Sequence, residues 1–412
     1  MNRLTTSWGT FPLTRFPADP RDPLRAWDAA DEYLLGHLAE TGTDLSGTVA
    51  VVGDRWGALV TALAAARTGT GALVQISDSY LGRTATAENL ARSGAAPDAV
   101  TLLTTQDPPP ERIDVLLVRV PKSLALLEDQ LHRLAPAVHE HTVIVGTGMV
   151  KEIHTSTLAL FERILGTTRT SLAVKKARLI HTTPDAHAAG AGATGAGPAG
   201  ADLVRDANPW PYRYALPADA PAGLAGRTVV NQAGVFCADR LDIGTRFLLQ
   251  HLPTGLGAAR VVDLGCGNGV VGLAVALAEP EAELLFTDES YQAVASAEEN
   301  FRTHAGEDRK AEFTVGDGLA EAAAGSVDLV LNNPPFHSHQ ATTDRTARRM
   351  FTDARRALRP GGELWVVGNR HLGYHVTLRR IFGNSELVAS DPKFVVLRAV
   401  KRAAQARDTS SR

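Results

Sequence analysis

The chain contains the same succession of β-rich runs, glycine turns and helical stretches twice. A turn at residues 51–59 precedes an apolar helical stretch at 60–66, and a turn at 261–269 precedes another at 270–278. Short β-rich runs that alternate with helical patterns are typical of βαβ units on a parallel sheet. The repeat is far too long for a solenoid. We therefore predict an internal duplication that gives two tandem Rossmann-like α/β domains.

The correspondence continues through the rest of each copy. Three further pairs of segments match: 75–80 with 286–291, 118–122 with 331–335, and 143–146 with 365–368. This alignment pairs Asp78 with Asp288. The first copy lacks the alternating glycines and the Asn-Pro-Pro-Phe sequence of the second. We therefore predict that the first domain is degenerate and does not bind the same ligand in the same way.

Composition marks the limits of the domains. The 412 residues are enough for two domains, each with its own core. Residues 184–200 are almost entirely alanine and glycine, which is typical of a flexible linker. The domain boundaries that we predict are 1–183 for the degenerate domain, 184–202 for the linker, 203–400 for the second domain and 401–412 for a basic disordered tail.

Composition also restricts the class of protein. With 44% hydrophobic residues and only two cysteines, Cys237 and Cys266, the chain is expected to be a soluble protein of a reducing cytoplasm. It has neither a signal-peptide pattern nor an apolar run near the length of a membrane span. We expect a cytoplasmic monomer without a membrane partner.

Charge is distributed unevenly along the chain. The net charge is −3, but residues 341–412 contain 15 Lys and Arg against six Asp and Glu. A basic lobe on an acidic body is a typical electrostatic footprint for nucleic acid binding. The alternative is that these arginines only solvate helix surfaces.

The second glycine turn has the features of a site for S-adenosylmethionine (SAM). A β-rich run that ends at Asp263 is followed by Gly265, Gly267 and Gly269. Glycines let the backbone pass close to a ligand, and the helix N-terminus favours the carboxylate of a methionine moiety. A dinucleotide fingerprint would need glycine where Val270 stands, so the spacing favours SAM over NAD. We assign Asp263, Gly265 and Gly267 to cofactor binding.

Two more carboxylates follow at the ends of β-rich runs. Asp288 is placed to accept hydrogen bonds from both ribose hydroxyls, although a surface aspartate is the alternative. Asp317 is placed to accept from the adenine amino group, although Asp-Gly is also an ordinary turn. Residues 241–245, which precede the glycine turn, are expected to cap the cofactor.

The sequence Asn-Asn-Pro-Pro-Phe-His at 332–337 directly follows an apolar run at 327–331. We predict that the side-chain oxygen of Asn333 and the carbonyl of Pro334 accept the two N–H bonds of a flat exocyclic amine. Phe336 would stack on the base that carries this amine. Such a site works by positioning and electrostatic preorganisation and needs no strong base. Asn333 is also assigned to cofactor binding.

The glycine turn and the Asn-Pro-Pro-Phe loop together indicate a SAM-dependent methyltransferase for a planar amine. The target base would be flipped out of its stack or taken from single-stranded RNA. His337, Arg370 and His371 are candidates for substrate contact. We predict no metal site, because His337 and His339 lack further ligands at suitable spacing and His371 and His375 lack the glutamate of a zinc helix.

The chain resembles the bacterial ribosomal RNA guanine-N2 methyltransferases, specifically the large-subunit (23S) type. The resemblance rests on residues 26–35, 241–245, 262–269, 288–290, 333–337, 368–372, 381–384 and 393–397. It implies two class I SAM-methyltransferase domains, of which only the second binds SAM. It further implies methylation of a guanine N2 in 23S rRNA before the subunit is assembled.

Other functions share parts of this pattern. The 16S guanine-N2 methyltransferases share the catalytic motifs, and similar loops methylate glutamine in proteins or adenine in DNA. A non-catalytic RNA-binding or assembly factor is a third class, which the intact set Asp263, Gly265, Gly267, Asp288 and Asn333 disfavours. The first domain would either position RNA or support the second domain.

Overall fold

A computed structural model describes residues 2–20, 22–67, 69–185, 207–221, 223–335 and 340–403. The chain divides into two compact units, Met1–Trp210 and Pro211–Arg412. Within the predicted linker and tail, residues 186–202 and 404–412 lie outside the described residues.

The first unit alternates strands and helices along the chain. Its strands are β1 (Asn2–Thr6), β2 (Gly9–Leu13), β3 (Val49–Val52), β4 (Leu73–Ser77), β5 (Thr101–Thr104), β6 (Ile113–Arg119), β7 (Val138–Met149), β8 (Gly166–Thr170) and β9 (Ala177–Pro184). Its helices are α1 (Ala29–Glu40), α2 (Ala58–Ala66), α3 (Tyr80–Arg92), α4 (Leu124–Leu134) and α5 (Thr155–Ile164). Strands β1 and β2 form a hairpin, and the others form a seven-stranded sheet in the order β5-β4-β3-β6-β7-β9-β8.

The second unit repeats this alternation. Its strands are β10 (Tyr212–Ala215), β11 (Thr228–Asn231), β12 (Arg260–Leu264), β13 (Glu283–Asp288), β14 (Ala311–Val315), β15 (Val327–Asn332), β16 (Leu358–Asn369), β17 (Glu386–Ser390) and β18 (Phe394–Val400). Its helices are α6 (Ile243–Leu249), α7 (Val270–Ala278), α8 (Tyr291–Ala305), α9 (Gln340–Ala357) and α10 (Tyr374–Phe382). The seven-stranded sheet has the order β14-β13-β12-β15-β16-β18-β17.

The two sheets have the same topology. In each, five parallel strands are followed at one edge by two more strands, each of which is antiparallel to the strand before it in the sheet. The strand order reverses between the first and fourth strands of the sheet, at β3/β6 and at β12/β15. The prediction of two tandem Rossmann-like domains from an internal duplication is confirmed.

Each sheet is covered on both faces. In β12 the neighbours Val261 and Val262 are both fully buried, but they belong to different apolar clusters. Successive side chains of a strand point to opposite faces, so the central strands of a doubly covered sheet are apolar throughout. Within the described ranges, no helix has the length and apolarity needed to cross a bilayer.

The helix caps correct one detail of the sequence alignment. Ser79 and Ser290 cap α3 and α8, and each hydroxyl accepts an N–H bond from the residue three positions later. Counting back from these caps, Ser77 and not Asp78 occupies the position of Asp288. The alignment was wrong here because it matched residue types, whereas the position is fixed by the start of the helix.

Gly272 tests how closely helix α7 approaches the sheet. A Cβ at this position would overlap the buried ring of Phe286, whereas a Cβ on Gly36 of helix α1 would meet no atom within 4 Å among the described residues. We expect Gly272→Ala to destabilise the chain by about 1–3 kcal/mol. Gly36→Ala, the matched control, should stabilise it by about 0.5–1 kcal/mol because alanine is the better helix former. Chemical unfolding measures both, and equal stability of the two variants would contradict the packing described.

Candidate active site

The glycine turn lies at the carboxyl-terminal edge of the second sheet. Gly265, Gly267 and Gly269 have φ of 70°, 53° and 79°, a conformation that favours glycine. A Cβ on Gly269 would collide with Ala297 of helix α8, so this glycine is needed for packing. Around the equivalent point on Gly267, no atom of the described residues lies within 4 Å. The backbone at Gly267 is therefore accessible to a ligand.

Asp263 lies beneath this turn. It is 3% exposed, and its Oδ2 accepts a hydrogen bond of 2.8 Å from the backbone N of Gly272. Its pKa is raised to about 7, chiefly by burial; the bond from Gly272 opposes this shift and nearby Asp288 adds to it. The carboxyl group thus ties the end of β12 to helix α7, and its direct contact with a cofactor stays a prediction.

Asp288 braces the turn from the end of the neighbouring strand. Its Oδ2 accepts from the backbone N of Gly267 and its Oδ1 from the backbone N of Ser290, both at 3.0 Å. Burial raises the pKa of this carboxyl group. Each carboxylate oxygen has a second lone pair, so these bonds leave acceptor capacity for ribose hydroxyls. That role stays a prediction.

Asp317 reaches the same edge but already has a partner. Its two oxygens lie 2.7 Å and 3.1 Å from the two terminal nitrogens of Arg349 on helix α9, in a bidentate ion pair. Burial raises the pKa of Asp317, and Arg349 opposes that shift. The predicted contact with an adenine amino group would have to share this carboxylate with Arg349.

Asn333 has one anchored end and one unpartnered end. Its Nδ2 donates to Oγ1 of Thr245 at 2.9 Å and lies 3.5 Å from Oδ2 of Asp242. Its Oδ1 is buried and has no hydrogen-bond partner among the described residues. A buried acceptor without a donor is costly. The site therefore offers one unused acceptor next to the buried Pro334, as an exocyclic amine requires.

Asn332, which we had not predicted as a site residue, points the opposite way. Its Nδ2 donates to the carbonyl of Leu264 at 2.7 Å, across the parallel pair β12 and β15. The amide of Asn332 is thus bound to the end of β12, whereas the amide of Asn333 is bound to helix α6. The contact of Thr245 with Asn333 was also missed. The N-cap pattern Asp-x-x-Thr at 242–245 was the available signal for it.

The remaining predicted substrate residues divide into two groups. Phe336 and His337 lie outside the described residues. Arg370 and His371 are exposed at the carboxyl end of β16, on the same edge of the sheet as Asn333. Arg370 donates from Nη1 to the carbonyl of Asp391 at 2.9 Å. The described residues contain no group of three metal-binding side chains.

Several arginines of the basic C-terminal stretch have partners within the second unit. Arg349 pairs with Asp317, while Arg356 donates to backbone carbonyls and Arg359 and Arg398 pair with carboxylates. These contacts favour a structural role for part of the positive charge.

The first unit carries an ion-pair network at the corresponding edge. Arg119 follows the residue that pairs with the end of β3, as Asn333 follows the residue that pairs with the end of β12. The sequence alignment of 118–122 with 331–335 set Arg119 against Asn332 and was therefore wrong by one residue. Its guanidinium is fully buried and lies 2.7 Å from Asp28, 3.0 Å from Glu152 and 3.3 Å from Asp31. Burial raises the pKa of Asp31 to about 6 despite this positive charge. A buried cation thus fills the place of the unused acceptor.

Comparison with known proteins identifies the family. Residues 1–186 match the RLMG N-terminal domain and residues 226–398 match the methyltransferase small domain. The chain is 72% identical over 399 residues to ribosomal RNA large subunit methyltransferase G of Streptomyces avermitilis, which covers 97% of this chain and 99% of that one. It is 46% identical over 404 residues to the protein of that name from Pseudomonas aeruginosa, with 97% and 100% coverage. The chain belongs to the ribosomal RNA large subunit methyltransferase G family.

A solved structure extends the comparison to the fold. The Thermus thermophilus 16S rRNA guanine-N2 methyltransferase, solved in complex with AdoMet and guanosine, superposes with a TM-score of 0.69. The match covers 97% of this chain and 98% of that one at 21% identity. The predicted family and the predicted tandem methyltransferase fold are both confirmed.

Asp263 gives the site a defined dependence on pH. The unfolded carboxyl group ionises near 3.8, whereas burial holds the proton of the native one up to about pH 7. Between these values the native state binds more protons than the unfolded state, so stability falls as pH rises. Asp263→Asn keeps an acceptor for Gly272 and cannot ionise. Between about pH 4 and about pH 7, we expect the stability of this variant to increase relative to the wild type. The difference in the free energy of unfolding should reach the order of a few kcal/mol and should appear as a higher unfolding temperature.

Thermal unfolding of both proteins in a series of buffers measures this difference. A difference in unfolding temperature that does not change with pH would show that Asp263 is ionised in the native protein. That result would contradict the raised pKa of Asp263.

Proposed function

We propose that this enzyme transfers a methyl group from SAM to the exocyclic N2 of a guanine in 23S rRNA. The observation that carries the proposal is the buried Oδ1 of Asn333 beside the glycine turn, for which the described part of the chain offers no hydrogen-bond donor. The names of the relatives support the large subunit as the target. The guanosine bound by the Thermus thermophilus structure supports guanine as the base.

The cofactor would lie along the glycine turn. The open space at Gly267 admits the backbone approach of a ligand, and the N-terminus of helix α7 favours its carboxylate. Asp288 would accept from the ribose, and Asp263 and Gly265 would shape the turn. When bound, SAM supplies an electrophilic methyl group on a positively charged sulfur.

The amine would be activated by two acceptors. The lone pair of the guanine N2 is delocalised into the ring, which makes it a poor nucleophile. Hydrogen bonds from its two N–H groups to Oδ1 of Asn333 and to the carbonyl of Pro334 hold the nitrogen so that its lone pair points toward the methyl group. Neither acceptor is basic, so the surplus proton of the product passes to water. Phe336, beyond the described residues, would stack on the base.

The first unit would be non-catalytic. Arg119 and its three carboxylates occupy the position of the Asn333 acceptor. Arg55 stands where the turn of the second unit has Gly267, and Ser77 stands in place of Asp288. These differences support a division into a domain at 1–183, which positions RNA or supports its neighbour, and a catalytic domain at 203–400.

The same chemistry supports three further parts of the proposal, which concern the state of the substrate, the oligomeric state and the location of the enzyme. A base must leave its stack to reach the acceptors, which supports unassembled rRNA as the substrate. Each unit has its own apolar core, which supports a monomer. A ribosomal RNA substrate supports a cytoplasmic location.

The proposed target is tested by transfer of labelled methyl from SAM to deproteinised rRNA from cells that lack the gene. We expect label in 23S rRNA, released as N2-methylguanine on digestion. The 16S rRNA, assayed in parallel as the internal control, should acquire no label. Label in 16S rRNA alone would replace the large-subunit assignment with the small-subunit one. Label on adenine or on protein would overturn guanine as the substrate.

The role of Asn333 is tested by its replacement with alanine. Asn333→Ala should fold and bind SAM, but its single-turnover rate should fall. The activation free energy should rise by about 2–4 kcal/mol, as for the loss of one preorganised transition-state partner. Asn208→Ala, which removes an asparagine whose amide donates to Asp129 of the first unit, is the matched control. A rate near that of the wild type in Asn333→Ala would refute the mechanism. Calorimetry of SAM binding shows whether a lower rate comes from the methyl-transfer step or from a loss of SAM binding.

A further inference from the structure

The N-terminus of helix α6 holds the Asn333 carboxamide by one end only. Asp242 is the N-cap of α6, and its Oδ2 accepts from the backbone N of Thr245 at 2.8 Å. The hydroxyl of Thr245 lies 3.3 Å from the same oxygen and 2.9 Å from Nδ2 of Asn333. Three polar groups therefore form a chain that leads from a helix cap to the catalytic amide.

The direction of each hydrogen bond in this series of polar groups is determined by chemistry. A carboxylate has no hydrogen to donate, so the Thr245 hydroxyl must donate its single proton to Asp242. The hydroxyl oxygen then has only lone pairs left for Asn333. The Asn333 side chain must present its N–H group to Thr245, and its Oδ1 must face the other way. A negative charge at the helix cap thus determines which end of the amide faces the substrate.

These hydrogen-bonded groups lie at the packed core of the second unit. Thr245 is 7% exposed, and the glycine before it lies against strand β18. A Cβ on Gly244 would lie 3.1 Å from the ring of Phe394 and 3.1 Å from Oδ2 of Asp242. Contacts this tight fix the start of helix α6 relative to the sheet, so Thr245 has little freedom to reorient.

The first unit provides an independent view of the same arrangement. Asp28 is the N-cap of helix α1, and Asp28 and Asp31 have the spacing of Asp242 and Thr245. Both lie next to Arg119, which occupies the position of Asn333. In both units, acceptors at the start of a helix hold N–H groups of a residue at the end of the fourth strand of the sheet, Arg119 or Asn333. Only asparagine has an oxygen left over after its N–H group is held.

We infer that Asp242 and Thr245 are positioning residues that orient the Asn333 carboxamide so that Oδ1 faces the reacting amine. The inference rests on the proposed function. If the amide turned over, it would direct its own N–H group at the N–H groups of the substrate, and the attractive contact would become repulsive.

The experiment compares two replacements of Thr245. Thr245→Val keeps the branched shape but removes the hydroxyl, while Thr245→Ser keeps the hydroxyl. Thr303→Val makes the same chemical change on the exposed side of helix α8 and is the matched control. For each variant we would measure single-turnover methyl transfer to 23S rRNA, the Kd for SAM, the unfolding temperature and a crystal structure.

For Thr245→Val we expect a methyl-transfer rate reduced on the order of 10- to 100-fold. Its unfolding temperature should stay close to that of Thr303→Val. Any loss of SAM affinity from the predicted capping role of residues 241–245 should be much smaller than the loss of rate. Thr245→Ser should recover most of the rate. The crystal structure of Thr245→Val should show the Asn333 carboxamide in a changed or divided orientation.

Equal rates for Thr245→Val and Thr245→Ser would overturn the inference. So would a parallel loss of SAM affinity and rate in Thr245→Val, because that result would make Thr245 a cofactor-binding residue. If the wild type itself transfers no methyl group to rRNA, the proposed function fails. The orientation of Asn333 in the two crystal structures would then still decide whether Thr245 positions it.

Discussion

The parallel pairing of β12 with β15 is the contact on which the active site depends. It places the end of one strand, with its glycine turn, beside the end of the other, with Asn332 and Asn333. The bond from Asn332 to the carbonyl of Leu264 closes this junction at 2.7 Å. The strand order of the sheet reverses here, and ligands of open α/β sheets bind at such switch points. The topology of the sheet therefore makes the glycine turn a neighbour of Asn333.

The two units show how one scaffold supports opposite solutions at this junction. In the first, the buried Arg119 cation is neutralised by three carboxylates, as a buried charge must be. In the second, Asn333 is neutral, and one of its buried polar atoms has no partner among the described residues. A polar group left without a partner lowers stability. Within the described residues, the second unit thus keeps an acceptor without a donor where the first has a closed ion-pair network, and the proposed mechanism depends on this difference.

Local patterns were sufficient to predict much of this molecule. Glycine turns, apolar runs and the Asn-Pro-Pro-Phe sequence depend on neighbouring residues, and they predicted the duplication, the fold and the position of Asn333. Contacts between distant residues were not visible in the sequence. The pairing of Arg349 with Asp317 and the bond from Thr245 to Asn333 depend on how helices α9 and α6 pack on the sheet. The alignment of Asp78 with Asp288 was wrong for a different reason, because it matched residue types. The start of the following helix fixes the position, and Ser77 occupies it.

The proposed role of Asn333 is tested most directly by a crystal structure of the enzyme with S-adenosylhomocysteine and guanosine. We predict that the guanine N2 lies within about 3.2 Å of both Oδ1 of Asn333 and the carbonyl of Pro334. We also predict that Nδ2 of Asn333 still donates to Thr245. A guanine N2 that contacts neither oxygen, or an Asn333 that turns its N–H group toward the base, would refute this role.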